Sequence, residues 1–283
     1  MSGSGDYQLV RLANGSHTLF SSTYGEKMHP GLGPQAEADL LYVRQLKIVE
    51  RLRNHSGEFV IWDIGLGGAA NAIATLNATK EISGKLRIVS FDNTSEPLEF
   101  ALKNANALGY AADYEKQIGE LLRSKRVAFQ NGKLQVAWEF HLGDFPALIS
   151  DSKLISPNAI FFDAFSPAKN PAMWTLSLFE NLFRALDPQR SCALTTYSRS
   201  TMVRATLLLA GFFVGVGHAT GMKEETTVAA NTLDLIAEPL NQRWLERALR
   251  SDSAEPLRAP VYSRARLSLE TIQKLRVHPQ FQI

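Results

Sequence analysis

Residues 59–62, Phe-Val-Ile-Trp, run without a polar break into Asp63-Ile64-Gly65-Leu66-Gly67-Gly68, and a helix-forming stretch opens at Ala70. No other feature constrains the fold as much. An apolar strand that turns through glycines into a helix is a βα unit whose backbone can reverse tightly and approach a ligand with no Cβ in the way. It predicts a nucleotide-type loop on a mainly parallel sheet, with an ordinary glycine-rich βα turn as the alternative.

The same alternation continues along the chain. Strands are expected at 59–62, 86–91, 134–140, 159–162 and 191–196, with helices at 35–53, 70–80, 97–107, 145–149, 174–185 and 200–210. Asn54, Gly84 and Pro188 mark element ends. Two further apolar segments, 212–216 and 226–230, lie too close together to be parallel, because a parallel pair needs a crossover of about a dozen residues or more. The expected fold is therefore α/β, a doubly wound and mainly parallel sheet ending in an antiparallel hairpin, as in class I methyltransferases at the level of analogy. Residues 1–34 read as a β segment turning at Asn14-Gly15 and a Gly/Pro-rich loop that closes a pocket. Residues 35–237 form the Rossmann-like domain, and 238–283 form a basic extension with one helix, 240–250.

Charge and composition narrow the function classes. Thirty Lys and Arg against 28 Asp and Glu leave +2 over 283 residues, too balanced for nucleic-acid binding through overall electrostatics. Residues 241–283 are locally basic, with eight cations against four acids. The single cysteine, Cys192, excludes an intramolecular disulfide and suits a reducing cytoplasm. The N-terminus has no apolar export core, and the longest apolar run, 207–216, is half of the about 20 residues a membrane span requires. A cytoplasmic chain with no membrane segment is expected. Neither G-x-S-x-G nor H-E-x-x-H occurs, so no serine hydrolase and no metal site is expected.

Gly65, Gly67 and Ala70 also fit the loose dinucleotide pattern, but Asp63, two residues before the first glycine, favours S-adenosylmethionine, whose ammonium needs a nearby carboxylate or carbonyl. Asp92 ends the second expected strand, where a carboxylate can accept both ribose hydroxyls or else cap a helix. Asp144, in Gly143-Asp144-Phe145, offers an acceptor for an adenine amino group beside an aromatic ring, or again a cap. Asp163 leaves the fourth strand at the carboxyl edge, at the head of a proline-stiffened loop. There it can orient an amine or take its proton, with a structural turn aspartate as the plain reading.

These residues resemble a known family. Asp163 to Trp174, DAFSPAKNPAMW, resembles the signature loop of the methyltransferase domain of MnmC, which finishes 5-methylaminomethyl-2-thiouridine at the tRNA wobble position. DIGLGGAANAIATL from Asp63, NGSHTLFSSTYGEKMHPGLGPQAEA from Asn14 and GMKEETTVAA from Gly221 extend the resemblance. It implies an S-adenosylmethionine-dependent tRNA methyltransferase in which Asp163 matches the catalytic aspartate and Gly65, Gly67, Asp92 and Asp144 match cofactor positions. Tyr24, Glu26, His29 and Glu37 fall in the N-terminal motif and are expected on the cofactor side, closing the pocket. A splayed wobble base calls for an aromatic near the loop. Phe165 and Trp174 are the candidates, with Lys169 and Lys223 as substrate-side cations.

The bifunctional members also carry an FAD-dependent oxidase domain, for which 283 residues leave no room, so the stand-alone form is expected. Where many members have a basic stretch, this chain has Gly221-Met222-Lys223-Glu224-Glu225. Arg243, Arg247, Arg250, Arg264 and Arg266 of the tail are the substitute contacts for tRNA, or else a solvated surface. Two other readings remain at this stage: a small-amine transferase related to the aminopropyltransferases, and a non-catalytic RNA- or protein-binding adaptor.

Overall fold

The computed structural model describes residues 6–150, 154–220 and 224–282. Strands β1 (Tyr7–Arg11), β2 (His17–Ser21) and β3 (Glu26–Lys27) make a small antiparallel sheet, with Gly15 at φ 87° in the turn between the first two. The main sheet holds β4 (Glu58–Ile64), β5 (Gly84–Asp92), β6 (Arg126–Asn131), β7 (Leu134–Leu142), β8 (Ala159–Phe162), β9 (Ala193–Thr196), β10 (Phe213–Gly217) and β11 (Thr226–Ala230). Their order is β10-β11-β9-β8-β4-β5-β7-β6.

The five central strands β9, β8, β4, β5 and β7 run parallel, and these are the five the sequence predicts. β10 and β11 form the expected antiparallel pair, with β11 inserted against β9. Because the parallel strands share one direction, Gly65, Asp92, Gly143, Asp163 and Tyr197 all emerge along one carboxyl edge.

β4 is buried on both faces, as a central strand covered by helices must be. Its side chains alternate between two apolar layers. Phe59 and Ile61 join Ile73, Leu76 and Trp138 on one face, while Val60 and Trp62 join Phe162, Trp174 and Phe179 on the other.

Three departures from the predicted elements have local causes. The expected helix 35–53 is broken: Pro34–Ala38 is α-helical, Asp39–Arg44 takes π-helical spacing, and Lys47 at φ 49° interrupts the chain before Ile48–Arg53. The expected helix 174–185 begins only at Leu176, where the Thr175 hydroxyl caps Leu178 N–H, because Pro171–Trp174 is a 3-10 turn. Helices Glu115–Ser124 and Leu269–Arg276 and edge strand β6 were not predicted. The first two bury few residues, and β6 alternates exposed with half-buried positions around the Asn131-Gly132 turn into β7.

The chain after β11 crosses the outer side of β10. Val216 N–H donates to Glu238 O and Leu240 N–H to Val214 O, both at 2.9 Å. Gly215 has no room for a side chain there, since a Cβ would lie 2.6 Å from Glu238 O. The Gln280 side chain, 7% exposed, accepts from Val214 N–H and donates to Val214 O, both at 2.7 Å.

Candidate active site

At the carboxyl edge lies a cavity of about 430 Å³. Gly65, Gly67, Asp92, Gly143, Asp144 and Phe145 line one side, and Asp163, Phe165, Ser166 and Tyr197 line the other. Tyr24, Glu26, Met28, His29 and Glu37 of the N-terminal region complete the wall. Among the described residues its acids, Glu26, Glu37, Asp92, Asp144 and Asp163, face only Lys27 and His29 as basic side chains, which suits cationic ligands.

The glycine loop and the Asp163 loop touch. A Cβ on Gly65, at φ 90°, would fall 2.7 Å from Asp163 O, so this contact requires glycine. Asp163 N–H donates to Ile64 O at 2.9 Å, and Gly65 and Leu66 N–H both donate to Phe91 O. Asp92 does not cap a helix: the cap position of Glu96–Lys103 belongs to Ser95. Its Oδ2 accepts from Gly67 N–H at 2.9 Å, and burial pushes its carboxyl above the usual range. Asp144 occupies the cap position of Phe145–Leu148 yet makes no capping hydrogen bond, which leaves its exposed carboxylate available to the cavity.

Asp63 is placed differently from the expectation. It is fully buried and stands behind the wall, paired across the sheet with Ser90, whose hydroxyl donates to Asp63 Oδ2 at 2.9 Å. Trp138 Nε1 donates to that hydroxyl at 2.9 Å, and the Asn71 side chain also lies against the Asp63 carboxyl. The strand continues to Ile64 before the backbone turns into the loop, so Asp63 keeps the core-facing alternation of Phe59 and Ile61. Burial raises its pKa to about 7, opposed by the Ser90 hydrogen bond and aided by the Asp163 and Asp92 charges. A carboxyl that holds its proton more tightly when folded stabilises the protein at low pH, and that stabilisation is lost as pH rises from 3.8 to about 7. Asp63→Asn is expected to flatten the fall in stability over this window, as read by urea titration at several pH values. An unchanged pH profile would show that Asp63 ionises normally.

Asp163 is 17% exposed and gathers partners from distant segments. Its Oδ2 accepts from Asn71 Nδ2 at 2.9 Å and lies 3.4 Å from His29 Nε2. The Phe165 ring stacks on Tyr24 with centroids 4.0 Å apart. Glu26 accepts from the Ser166 hydroxyl at 2.5 Å, and Glu37 accepts from Gly31 N–H at 2.5 Å and Leu32 N–H at 2.8 Å. These two glutamates thus brace the chain around the cavity, while His29 belongs beside Asp163.

Trp174 is fully buried and does not face the cavity; it supports the loop from behind by donating Nε1–H to Phe165 O at 2.8 Å. This corrects its expected role as a stacking surface, because the 3-10 turn directs its indole into the core. Lys169 is exposed near Gly25 and does not line the wall, and Lys223 lies outside the described residues. Asn71, Tyr42 and Tyr197 were not singled out from the sequence. Asn71 falls inside the glycine-loop motif and could have been, whereas nothing local marks the two tyrosines. Arg243, Arg247, Arg250, Arg264 and Arg266 are all exposed, and their segment is tied to the helix that follows the signature loop, where Leu176 N–H donates to Leu257 O at 2.9 Å.

Among the described residues no group of three or more His, Cys, Asp or Glu is placed to hold a metal ion, and no helix is long and apolar enough to cross a membrane. The wall does fit a nucleoside carrying a sulfonium. A carboxylate free of capping and an aromatic ring stand together at Asp144-Phe145, a second carboxylate ends β5, and among the described residues no arginine or lysine stands at the glycine loop to demand phosphate.

Comparison with known proteins agrees. A family model described as S-adenosyl-L-methionine-dependent methyltransferase matches residues 109–232. A crystal structure of MnmC2 from Aquifex aeolicus superposes with a TM-score of 0.71 at 25% identity, covering 97% of this chain and 84% of that one. The chain carries an S-adenosyl-L-methionine-dependent methyltransferase domain similar to the methyltransferase part of MnmC. Among curated relatives, the tRNA 5-methylaminomethyl-2-thiouridine biosynthesis bifunctional protein MnmC of Methylibium petroleiphilum is 30% identical over 231 residues, 78% of this chain and 34% of that protein. Its counterpart in Ectopseudomonas mendocina is 31% identical over 242 residues, 80% of this chain and 35% of that protein. The methyltransferase thus spans about a third of the length of the curated relatives it matches, and S-adenosylmethionine is its cofactor.

Proposed function

We propose that this methyltransferase acts on the exocyclic amine of 5-aminomethyl-(2-thio)uridine at the wobble position of tRNA, in the cytoplasm. The observation that carries the reading is the placement of Asp163. It stands in the same cavity as Asp92 and Asp144, at the edge opposite them and beside the Tyr24–Phe165 stack. Asp92 and Asp144 hold ribose and adenine, Gly65 and Gly67 let the backbone approach, and the 1–34 segment closes over the 35–237 domain. The 238–283 extension presents its exposed arginines to tRNA phosphates.

The bound cofactor supplies an activated methyl group on sulfur. A protonated amine has no lone pair to offer, so Asp163 first orients it and favours the neutral form by taking its proton or passing it to water. With the cofactor held by Asp92, Asp144 and the glycine loop, the neutral amine would be in place to take up the methyl group of the cofactor, and Asp163 or water would receive the proton that the product ammonium sheds. Positioning and exclusion of water supply most of the acceleration, which agrees with so small a set of ionisable groups around Asp163.

The test is incubation with radiolabelled S-adenosylmethionine and tRNA from cells lacking this methylation, followed by nucleoside analysis. Label in 5-methylaminomethyl-(2-thio)uridine supports the reading, and absence of label from every nucleoside overturns it. The acidic wall also favours a second reading, transfer to a small polyamine, and labelling of free polyamines in the same assay would select it. Glu26 and Glu37 weigh against that outcome, because both already accept hydrogen bonds from the protein.

If Phe165 carries the splayed base, Phe165→Ala removes a stacking contact of about 1–3 kcal/mol and raises the KM for tRNA by roughly tenfold. The dissociation constant for S-adenosylmethionine should stay within about twofold by calorimetry. An unaltered KM would place the base elsewhere.

A further inference from the structure

Oδ2 of Asp163 takes both the Asn71 and the His29 contacts, and the buried Tyr42 hydroxyl also meets the carboxylate. Asn71 is 3% exposed and sits in the first turn of the helix Ala70–Thr79 that follows the glycine loop. Its backbone carbonyl accepts from Thr75 Oγ1 at 2.9 Å. Its side-chain Oδ1 lies 3.4 Å from His29 Nε2.

The orientations of these groups determine one another. A carboxylate only accepts, so the Asn71 nitrogen must face Asp163 and its oxygen must face His29. His29 Nε2 then lies between two acceptors and carries the hydrogen, which fixes the tautomer. A lone aspartate at a strand end would instead rotate between rotamers and offer either oxygen.

We propose that Asn71, together with His29, is a positioning pair for methyl transfer that anchors Asp163 through Oδ2 and so sets the direction in which its carboxylate meets the acceptor amine. This rests on the amine-methylating reading above. The other titratable groups facing Asp163 are Asp63, Tyr42 and Tyr197; burial raises the pKa of all three, and both tyrosines stay neutral at physiological pH.

The experiment compares the wild type, Asn71→Ala, Asn71→Asp, His29→Ala and His29→Asn in kcat, KM for tRNA, cofactor affinity and the pH profile of kcat. Asn71→Ala should lower kcat by about 10- to 100-fold, with KM and cofactor affinity within about twofold, since it loosens the geometry without removing the carboxylate. Asn71→Asp sets a third carboxylate beside Asp63 and Asp163, and like charges disfavour ionisation. The acid limb of the profile should therefore move up by about one pH unit, a shift that a merely structural role would not produce. His29→Asn keeps an N–H donor on a residue type that tolerates the φ of 56° found here, and should retain more activity than His29→Ala.

Wild-type kcat in Asn71→Ala, or an unmoved limb in Asn71→Asp, overturns the proposal. Should the Asn71 variants not fold, equal kcat in His29→Ala and wild type overturns it. A wild-type protein that methylates no amine overturns the parent reading instead, so the two failures are distinct.

Discussion

Asp163→Ala is expected to lower kcat for methyl transfer by about 10²- to 10⁴-fold, the range a positioned proton acceptor contributes. Cofactor affinity should stay close to that of the wild type. The division follows from the structure: the side chain of Asp163 meets Asn71 and His29, whereas its main chain contacts Ile64 and Gly65 of the cofactor loop. Truncation at Cβ leaves those main-chain contacts in place. Single-turnover methylation of tRNA and calorimetric titration with S-adenosylmethionine separate the two quantities. Equal loss of both would show that Asp163 holds the loops together and has no chemical role.

Gly65→Ala should damage stability and chemistry at once. The left-handed backbone alone costs a non-glycine residue about 1–2 kcal/mol. The new Cβ would also stand 2.7 Å from Asp163 O, an approach only a shift of one loop can relieve. A combined loss of about 3 kcal/mol corresponds to a Tm lower by roughly 6–12 °C. A loop shift of about 1 Å carries Asp163 with it and lowers kcat by about 10²-fold. Gly57→Ala is the matched control, since φ there is 99° but no atom lies within 4 Å of the added Cβ. It should lose stability with no change in kcat. Equal kcat in Gly65→Ala and Gly57→Ala would show that the contact between loops does not set the position of Asp163.

The sequence revealed the parallel strands because their signal is local: β4 and β8 are nearly all apolar and lead directly into Gly65 and Asp163, which line the cavity. The places of Asp92 and Asp144 in the cavity wall were legible for the same reason, one ending a strand and the other lying two residues beyond one. The roles of Asn71, His29 and Glu26 depend on segments far apart in the chain. His29 and Asn71 are 42 residues apart, and Asn71 and Asp163 are 92. No spacing rule reaches that far. Asp63 was misread because motif position does not say on which side of the last strand residue the backbone turns. Trp174 was misread because a ring at the end of a loop can as readily support it from the core as face a ligand. The first expected helix was broken at Lys47, whose positive φ has no residue-type signature.

The outer flank of β10 has a further consequence. An edge strand with free amides and carbonyls is a template on which another chain can add a strand. Here Val214 offers neither group, because Gln280 engages both and Leu240 shares the carbonyl, while Glu238 holds the amide of Val216. The C-terminal segment thus takes up main-chain groups that this edge of the sheet would otherwise offer to another strand. The Gln280 carboxamide, far from the cavity, stands in for the neighbouring strand that β10 lacks on that side.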